Sequence, residues 1–213
     1  MIPSYQAKAT MRILSISSGI VSPLFGSHHP DYRVVSSAIN KKPISTLGNP
    51  ISIGVTNLGI QGDEQADLSV HGGLEKALYV YPAEHYSFWN HLIARETKQV
   101  IGLQHGAMGE NLTTEGLLET AIFVGDQLKI DELVCTVTKL REPCFKFNAK
   151  MKYKGAAKAM LQSGYSGWYL RVNQIGPISA GAAIEVIPGD RLISIAQQNS
   201  VLFNRNKQKD LWD

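Results

Sequence analysis

The strongest chemical candidate in this chain is Cys144, set in the run Arg141-Glu142-Pro143-Cys144-Phe145-Lys146. A guanidinium three residues before a thiol and an ammonium two after it favour the thiolate, which is both a nucleophile and a soft-metal ligand. The same residue also reads as a packed cysteine beside a strand end, with Arg141 and Lys146 in solvent. Cys135, between Val134 and Thr136, reads as core. Two cysteines are too few for a disulfide scaffold, and their nine-residue separation fits no zinc or thioredoxin spacing. The expectation is a reduced, cytoplasmic chain.

Two glycine-bearing loops stand beside the cysteine. In His71-Gly72-Gly73 the chain can take unusual φ/ψ and present bare N–H groups to an anion, with Lys76 just after it. The segment reads equally as a hairpin turn with an exposed histidine. Gly109-Glu110-Asn111 places a carboxylate and an amide after a glycine turn, where Asx-type capping of its own backbone is the alternative. His28-His29, His85 and His91 form no metal set and read as surface or satisfied core. The Gly-x-Ser-x-Gly elbow, the His-Glu-x-x-His helix and the Walker lysine loop do not occur.

Short strands must carry these loops. β-branched and aromatic runs predict strands at Arg12–Ser17, Arg33–Ile39, Ile51–Asn57, Ala77–Tyr81, Ala121–Val124, Leu133–Leu140, Trp168–Val172 and Ala182–Ile187. They do not alternate regularly with helices, which argues against a doubly wound parallel sheet. Helical spacing predicts Pro82–Lys98, with Trp89, Leu92 and Ile93 inward, then Phe147–Gln162 closing at Gly164, then about Arg191–Asn204. The expected fold is mainly β, a barrel with a few flanking α-helices. Residues 1–10 read as a loose leader, 11–190 as the barrel domain, and 191–213 as a C-terminal helix and tail.

Composition narrows the function classes. The 213 residues are 44% hydrophobic and only 18% charged, with a net charge of +3 and no long run of one sign. A dedicated nucleic-acid binder would cluster its Lys and Arg on one face. No apolar stretch approaches the roughly 18 residues of a membrane span.

Taken in order, GIQGDEQADLSVHGGLEKALYVYPAEHY, GENLTTEGL and REPCFKFN resemble the MOSC domain, named after the C-terminal domain of molybdenum-cofactor sulfurases. Within that family the chain is most similar to the stand-alone YiiM-type members, and the resemblance runs from about Met11 to Pro188. Ser37 to Pro43 resembles the family's Ala-Ile-x-Lys-x-Pro segment, and GYSGWYL its Gly-Trp strand.

The resemblance implies a β-barrel whose loops hold a molybdopterin cofactor, with Cys144 at the metal-ligand position. It implies Lys41, His71, Gly72, Gly73, Lys76, Asn111 and Arg141 as cofactor-binding residues. It further implies reduction of N-hydroxylated compounds such as hydroxylaminopurines, with electrons from a separate flavin- or iron–sulfur-containing reductase. The alternative is a sulfur carrier in which Cys144 bears a persulfide for metal–sulfur cluster or cofactor assembly. A homodimer is allowed, and neither membrane nor nucleic acid is an expected partner. YiiM-type chains usually continue into a small helical domain, whereas 23 residues follow Asp190 here.

Overall fold

A computed structural model describes residues 11–31, 35–66 and 72–208. In chain order the strands are β1 (Arg12–Ser18), β2 (Ser22–Pro23), β3 (Ser36–Ser37), β4 (Lys42–Thr46), β5 (Ile53–Thr56), β6 (Gly59–Ile60) and β7 (Leu78–Pro82). There follow β8 (Leu112–Glu115), β9 (Gln127–Ile130), β10 (Leu133–Leu140), β11 (Trp168–Gln174), β12 (Gly176–Ile178) and β13 (Glu185–Ile187). Four α-helices accompany them among the described residues: α1 (Tyr86–Thr97), α2 (Phe145–Met151), α3 (Ala156–Ser163) and α4 (Ile195–Gln208).

Eight strands form one curled sheet in the order β13-β9-β10-β11-β7-β8-β1-β4, antiparallel except for the β7–β8 pair. The sheet bends into a half-barrel whose ends approach each other. The Ile13 N–H donates to Ala182 O at 3.0 Å, Gly181 N–H to Ile13 O at 2.8 Å, and Ile184 N–H to Met11 O at 2.8 Å. The mainly β fold with flanking helices is therefore present. The register shifts between Ile16 and Ser17, and again between Val137 and Lys139, supply the local twist that curling requires.

Strand β7 shows why the fold needs two cores. All five of its residues are buried, so both faces must find apolar partners. Leu78 and Val80 turn into the barrel with Ile13, Ile16, Leu112, Val137, Trp168 and Leu170. Tyr79 and Tyr81 turn outward beneath Trp89 and Ile93 of α1, Phe147 of α2 and Met160 of α3. The inward Trp89, Leu92 and Ile93 face expected for the first helix is buried.

Several expected elements are corrected by local chemistry. Phe147–Gln162 is two helices: α2 starts at Phe145 and ends with Lys152 left-handed at φ 51°, and the Asn148 Oδ1 caps the restart by accepting from Ala157 N–H at 2.7 Å. Ala121–Val124 is no strand but a turn with an isolated bridge from Phe123 to Ser194, held by Asp126 Oδ2 accepting from Phe123 N–H. The last helix begins at Ile195 rather than Arg191, because Ser194 and Gln197 cap it reciprocally, side chain to backbone, at 3.1 and 2.8 Å. Of Arg33–Ile39, positions 33 and 34 lie outside the described residues and β3 covers Ser36 and Ser37. No described helix is long and apolar enough to cross a membrane.

Candidate functional site

Five loop segments from distant parts of the chain meet over the outer face of β7 and β11. They enclose a cleft of about 720 Å³, its open mouth included, a size that suits a small-molecule ligand. Of the residues singled out in the sequence, Lys41, Lys76, Asn111, Arg141 and Cys144 all line it, together with Gly109. His71 lies outside the described residues.

Cys144 comes to the cleft because Pro143 ends the β10 extension and the chain turns into α2, with Cys144 at the N-cap in extended geometry (φ −132°, ψ 178°). It is partly exposed, whereas Cys135 is fully buried in the barrel core. Burial pushes the Cys135 thiol up to about 12, so it stays protonated and inert. Lys146 and Lys150 hold α2 against the opposite wall by donating to Ser36 O at 3.1 Å and Asn40 Oδ1 at 3.0 Å.

Arg141 is 5% exposed. Its guanidinium lies 4.7 Å from the Phe147 ring centre and 5.7 Å from that of Tyr79, and donates to Met160 Sδ at 3.3 Å. Among the described residues no carboxylate comes within ion-pair distance of it. Glu142, its neighbour in sequence, pairs instead with Lys139 at 2.5 Å. A buried cation cradled by rings and facing a cleft is costly without a counter-charge. The arrangement suits an incoming anion, which a planar guanidinium can bind at two points.

Lys41 differs. Its Nζ donates to both oxygens of Asp63 at 2.5 and 2.6 Å, and both side chains are over nine-tenths buried. Burial lowers the Lys41 pKa, and the Asp63 charge opposes that shift. Asp63 also accepts from Gly19 N–H at 2.8 Å and from Asn111 Nδ2 at 2.9 Å. The Asn111 Oδ1 accepts from Tyr79 N–H at 3.1 Å, so this amide fastens β7 to the Asp63 loop while it lines the cleft.

The glycine loops are built from behind. The Gly73 N–H, expected to face an anion, donates to Gln65 Oε1 at 2.8 Å, and a Cβ on Gly72 would lie 2.2 Å from that same oxygen. Gly109 adopts φ 86° and passes so close to Ile39 that a Cβ would stand 2.8 Å from its Cγ1. Glu110 is fully buried behind the cleft, where its carboxylate accepts from Gly106 N–H, Met108 N–H, Thr113 Oγ1 and the Tyr86 hydroxyl. The Tyr79 and Tyr169 phenols are held protonated by burial.

The MOSC domain family model matches residues 67–185, more than half of the chain. The chain belongs to the MOSC domain family. It is 36% identical over 178 residues to the uncharacterised protein YflK of Bacillus subtilis, covering 83% of this chain and 76% of YflK. It is 37% identical to the YiiM protein of Escherichia coli over 62% of this chain and 58% of that one. A protein of Gibberella moniliformis named a reductase is 35% identical over 61% of this chain, a stretch that makes up 22% of the fungal protein. Among solved structures, YiiM from Geobacillus stearothermophilus superposes with a TM-score of 0.68 at 29% identity, covering 92% of this chain and 85% of that one.

Within this MOSC chain, sequence reasoning missed Asp63. The residue sits in the stretch GIQGDEQADLSVHGG, but its partner Lys41 is 22 positions away. A lone acid in a polar loop carries no mark of the pairing. Among the aromatics flanking the site, Trp168 is core, Tyr165 stacks on His85 with ring centres 3.8 Å apart, and Phe145 is 56% exposed. His85 is itself buried against Glu119 at 2.8 Å, a satisfied core histidine.

Proposed function

We propose that this MOSC chain binds a molybdopterin cofactor in the cleft and reduces N-hydroxylated compounds, hydroxylaminopurines among them. The observation that carries the reading is the pairing of a partly exposed thiol, Cys144, with a buried guanidinium, Arg141, that meets no carboxylate among the described residues. A group that combines a soft metal with a phosphate asks for that donor set. Cys144 Sγ holds the metal, Arg141 receives the phosphate, and Lys76 borders the same space. When bound, the cofactor supplies a centre that exchanges two electrons.

Reductive cleavage of a nitrogen–oxygen bond turns R–NHOH, two electrons and two protons into R–NH2 and water. The chain's share of that balance is the proton and the positioning. Lys41 Nζ faces the cleft with its proton loosened by burial, and Asp63 fixes the direction in which that ammonium points. The Tyr79 and Tyr169 rings supply apolar surface to the wall of the cleft. The electrons come from a separate reductase.

The test is metal and pterin analysis of protein made in a host that synthesises molybdopterin, comparing the natural chain with Arg141→Met. The reading predicts stoichiometric molybdenum and pterin in the natural chain, and at least a tenfold loss in the variant with its fold intact. Equal cofactor content in both removes Arg141 from the assignment. A persulfide on Cys144 without molybdenum replaces the reading with the sulfur-carrier alternative.

A further inference from the structure

Strand β10 carries the chain toward Arg141 and Cys144, and it loses a neighbour on the way. β9 pairs only with Leu133 to Thr136. Beyond that point Val137 bonds to Gly125 and Asp126, while the β11 side holds the chain as far as the Arg141 N–H, which donates to Gly167 O at 3.2 Å. Leu140, between them, is buried. Its N–H needs a partner inside the protein, because a buried donor left alone is costly. Gln198 of α4 supplies one: its Oε1 accepts from the Leu140 N–H at 2.9 Å.

The next residue of α4 bears on the other end of the same cation. Asn199 is buried, and its Nδ2 donates to Leu161 O of α3 at 2.8 Å. Met160, one position before Leu161, is the residue whose Sδ accepts from the Arg141 guanidinium. Gln198 thus fastens the backbone one residue before Arg141, and Asn199 fastens the helix on which the Arg141 side chain rests. α4 is itself anchored, by Ile195 N–H donating to Ile122 O at 2.9 Å and Ala196 N–H to Glu119 O at 3.0 Å. It lies outside residues 67–185, the stretch that matches the MOSC family model.

We propose that α4 is the positioning element for the anion-binding end of the cleft, with Gln198 and Asn199 holding Arg141 where a phosphate oxygen can meet it. The inference rests on the reading of Arg141 as the phosphate's partner. Neither Gln198 nor Asn199 lines the cleft, so both act through Arg141. A two-point guanidinium contact is demanding in direction. The rings and the thioether around Arg141 direct it only weakly, a thioether being a poor acceptor. Its aim is therefore set by where its backbone and Met160 are held, and α4 holds both.

The test compares Gln198→Leu, which keeps the volume and removes the acceptor, with Gln198→Glu, which keeps an acceptor oxygen, and with Asn199→Ala. The first readout is phenylglyoxal modification of Arg141, mapped on the full chain made without molybdopterin. It is expected to quicken about fivefold in Gln198→Leu and Asn199→Ala through local opening, and to match the natural chain in Gln198→Glu. Iodoacetamide labelling of Cys135, which reports opening of the whole fold, is expected to stay absent throughout. The second readout is pterin content after production in a molybdopterin-making host. Gln198→Leu is expected to lose about fivefold in the natural background and nothing further in the Arg141→Met background, since the two act as one unit. Unchanged Arg141 reactivity in Gln198→Leu, no rescue by glutamate, or a further loss beside Arg141→Met overturns the proposal. So does Cys135 labelling that rises in step, because α4 would then only hold the fold together. A natural chain without pterin counts against the cofactor reading alone, and the phenylglyoxal rates still decide the role of α4.

Discussion

Cys135 and Cys144 are nine residues apart in sequence and in opposite chemical settings, one sealed in the barrel core and one facing the cleft. Iodoacetamide at neutral pH is expected to label Cys144 and spare Cys135 until the chain unfolds, as peptide mapping can read. The same burial gives a pH signature. The Cys135 thiol ionises near its ordinary 9.0 in the unfolded chain and near 12 in the folded one. That contribution to stability is complete below pH 9 and is lost as pH rises toward 12, because only the unfolded state gains by releasing the proton. The stability gap between the natural chain and Cys135→Ala, about 1–2 kcal/mol near neutrality, is therefore expected to narrow in denaturant melts above pH 9. Asp63 offers the complementary test. Asp63→Asn leaves the Lys41 ammonium buried without its counter-charge and is expected to cost about 3 kcal/mol. Adding Lys41→Met should recover most of that loss, since an apolar replacement needs no partner. These pairings were invisible in sequence because Lys41, Asp63 and Asn111 belong to three separate loops, whereas Cys144 advertised itself through Arg141 and Pro143 in its own run.

Among the elements, β10 was legible because its buried and half-buried residues alternate from Leu133 to Cys135 to Val137, a period of two over a run in which four of eight residues are β-branched. The first helix was legible for the same reason at a period of 3.6. The second was misread as one helix because Met151-Lys152-Tyr153-Lys154 contains no proline. Its break is made by Lys152 in the left-handed region, bonded back to Ala149 and Asn148, and by the Asn148 side chain capping Ala157, local bonds that no proline marks. Strands β8 and β9 escaped because each is only four residues long and at least half polar in sequence, so that only pairing with longer neighbours makes them strands. The loop before β8 depends on Glu110, whose carboxylate accepts four hydrogen bonds with two backbone N–H groups among the donors. A glutamine there presents one acceptor oxygen and an NH2 that opposes the remaining donors. Glu110→Gln is expected to lower stability by about 2–4 kcal/mol, read from chemical denaturation, and to loosen the Gly109–Asn111 edge of the cleft.

At the scale of the molecule, the half-barrel does for the site what no local feature could. Segments separated by up to about a hundred positions, from Lys41 to Cys144, reach one face because β7 and β11 lie side by side with their outer residues toward the helices. The mainly β architecture followed from the many short strand runs. The curl that closes Ile13 onto Ala182 followed from nothing local, being a consequence of register shifts and end-to-end pairing. The central claim joins that architecture to one atom, Cys144 Sγ. Its most direct test is the molybdenum-to-protein ratio of the natural chain and of Cys144→Ser, each purified from a molybdopterin-producing host and checked by thermal melt. Serine preserves the volume and removes the soft thiolate, so one molybdenum per natural chain, its loss from the variant, and an unchanged melting temperature are predicted. A Cys144→Ser protein that keeps its molybdenum would contradict the cysteine-ligated site.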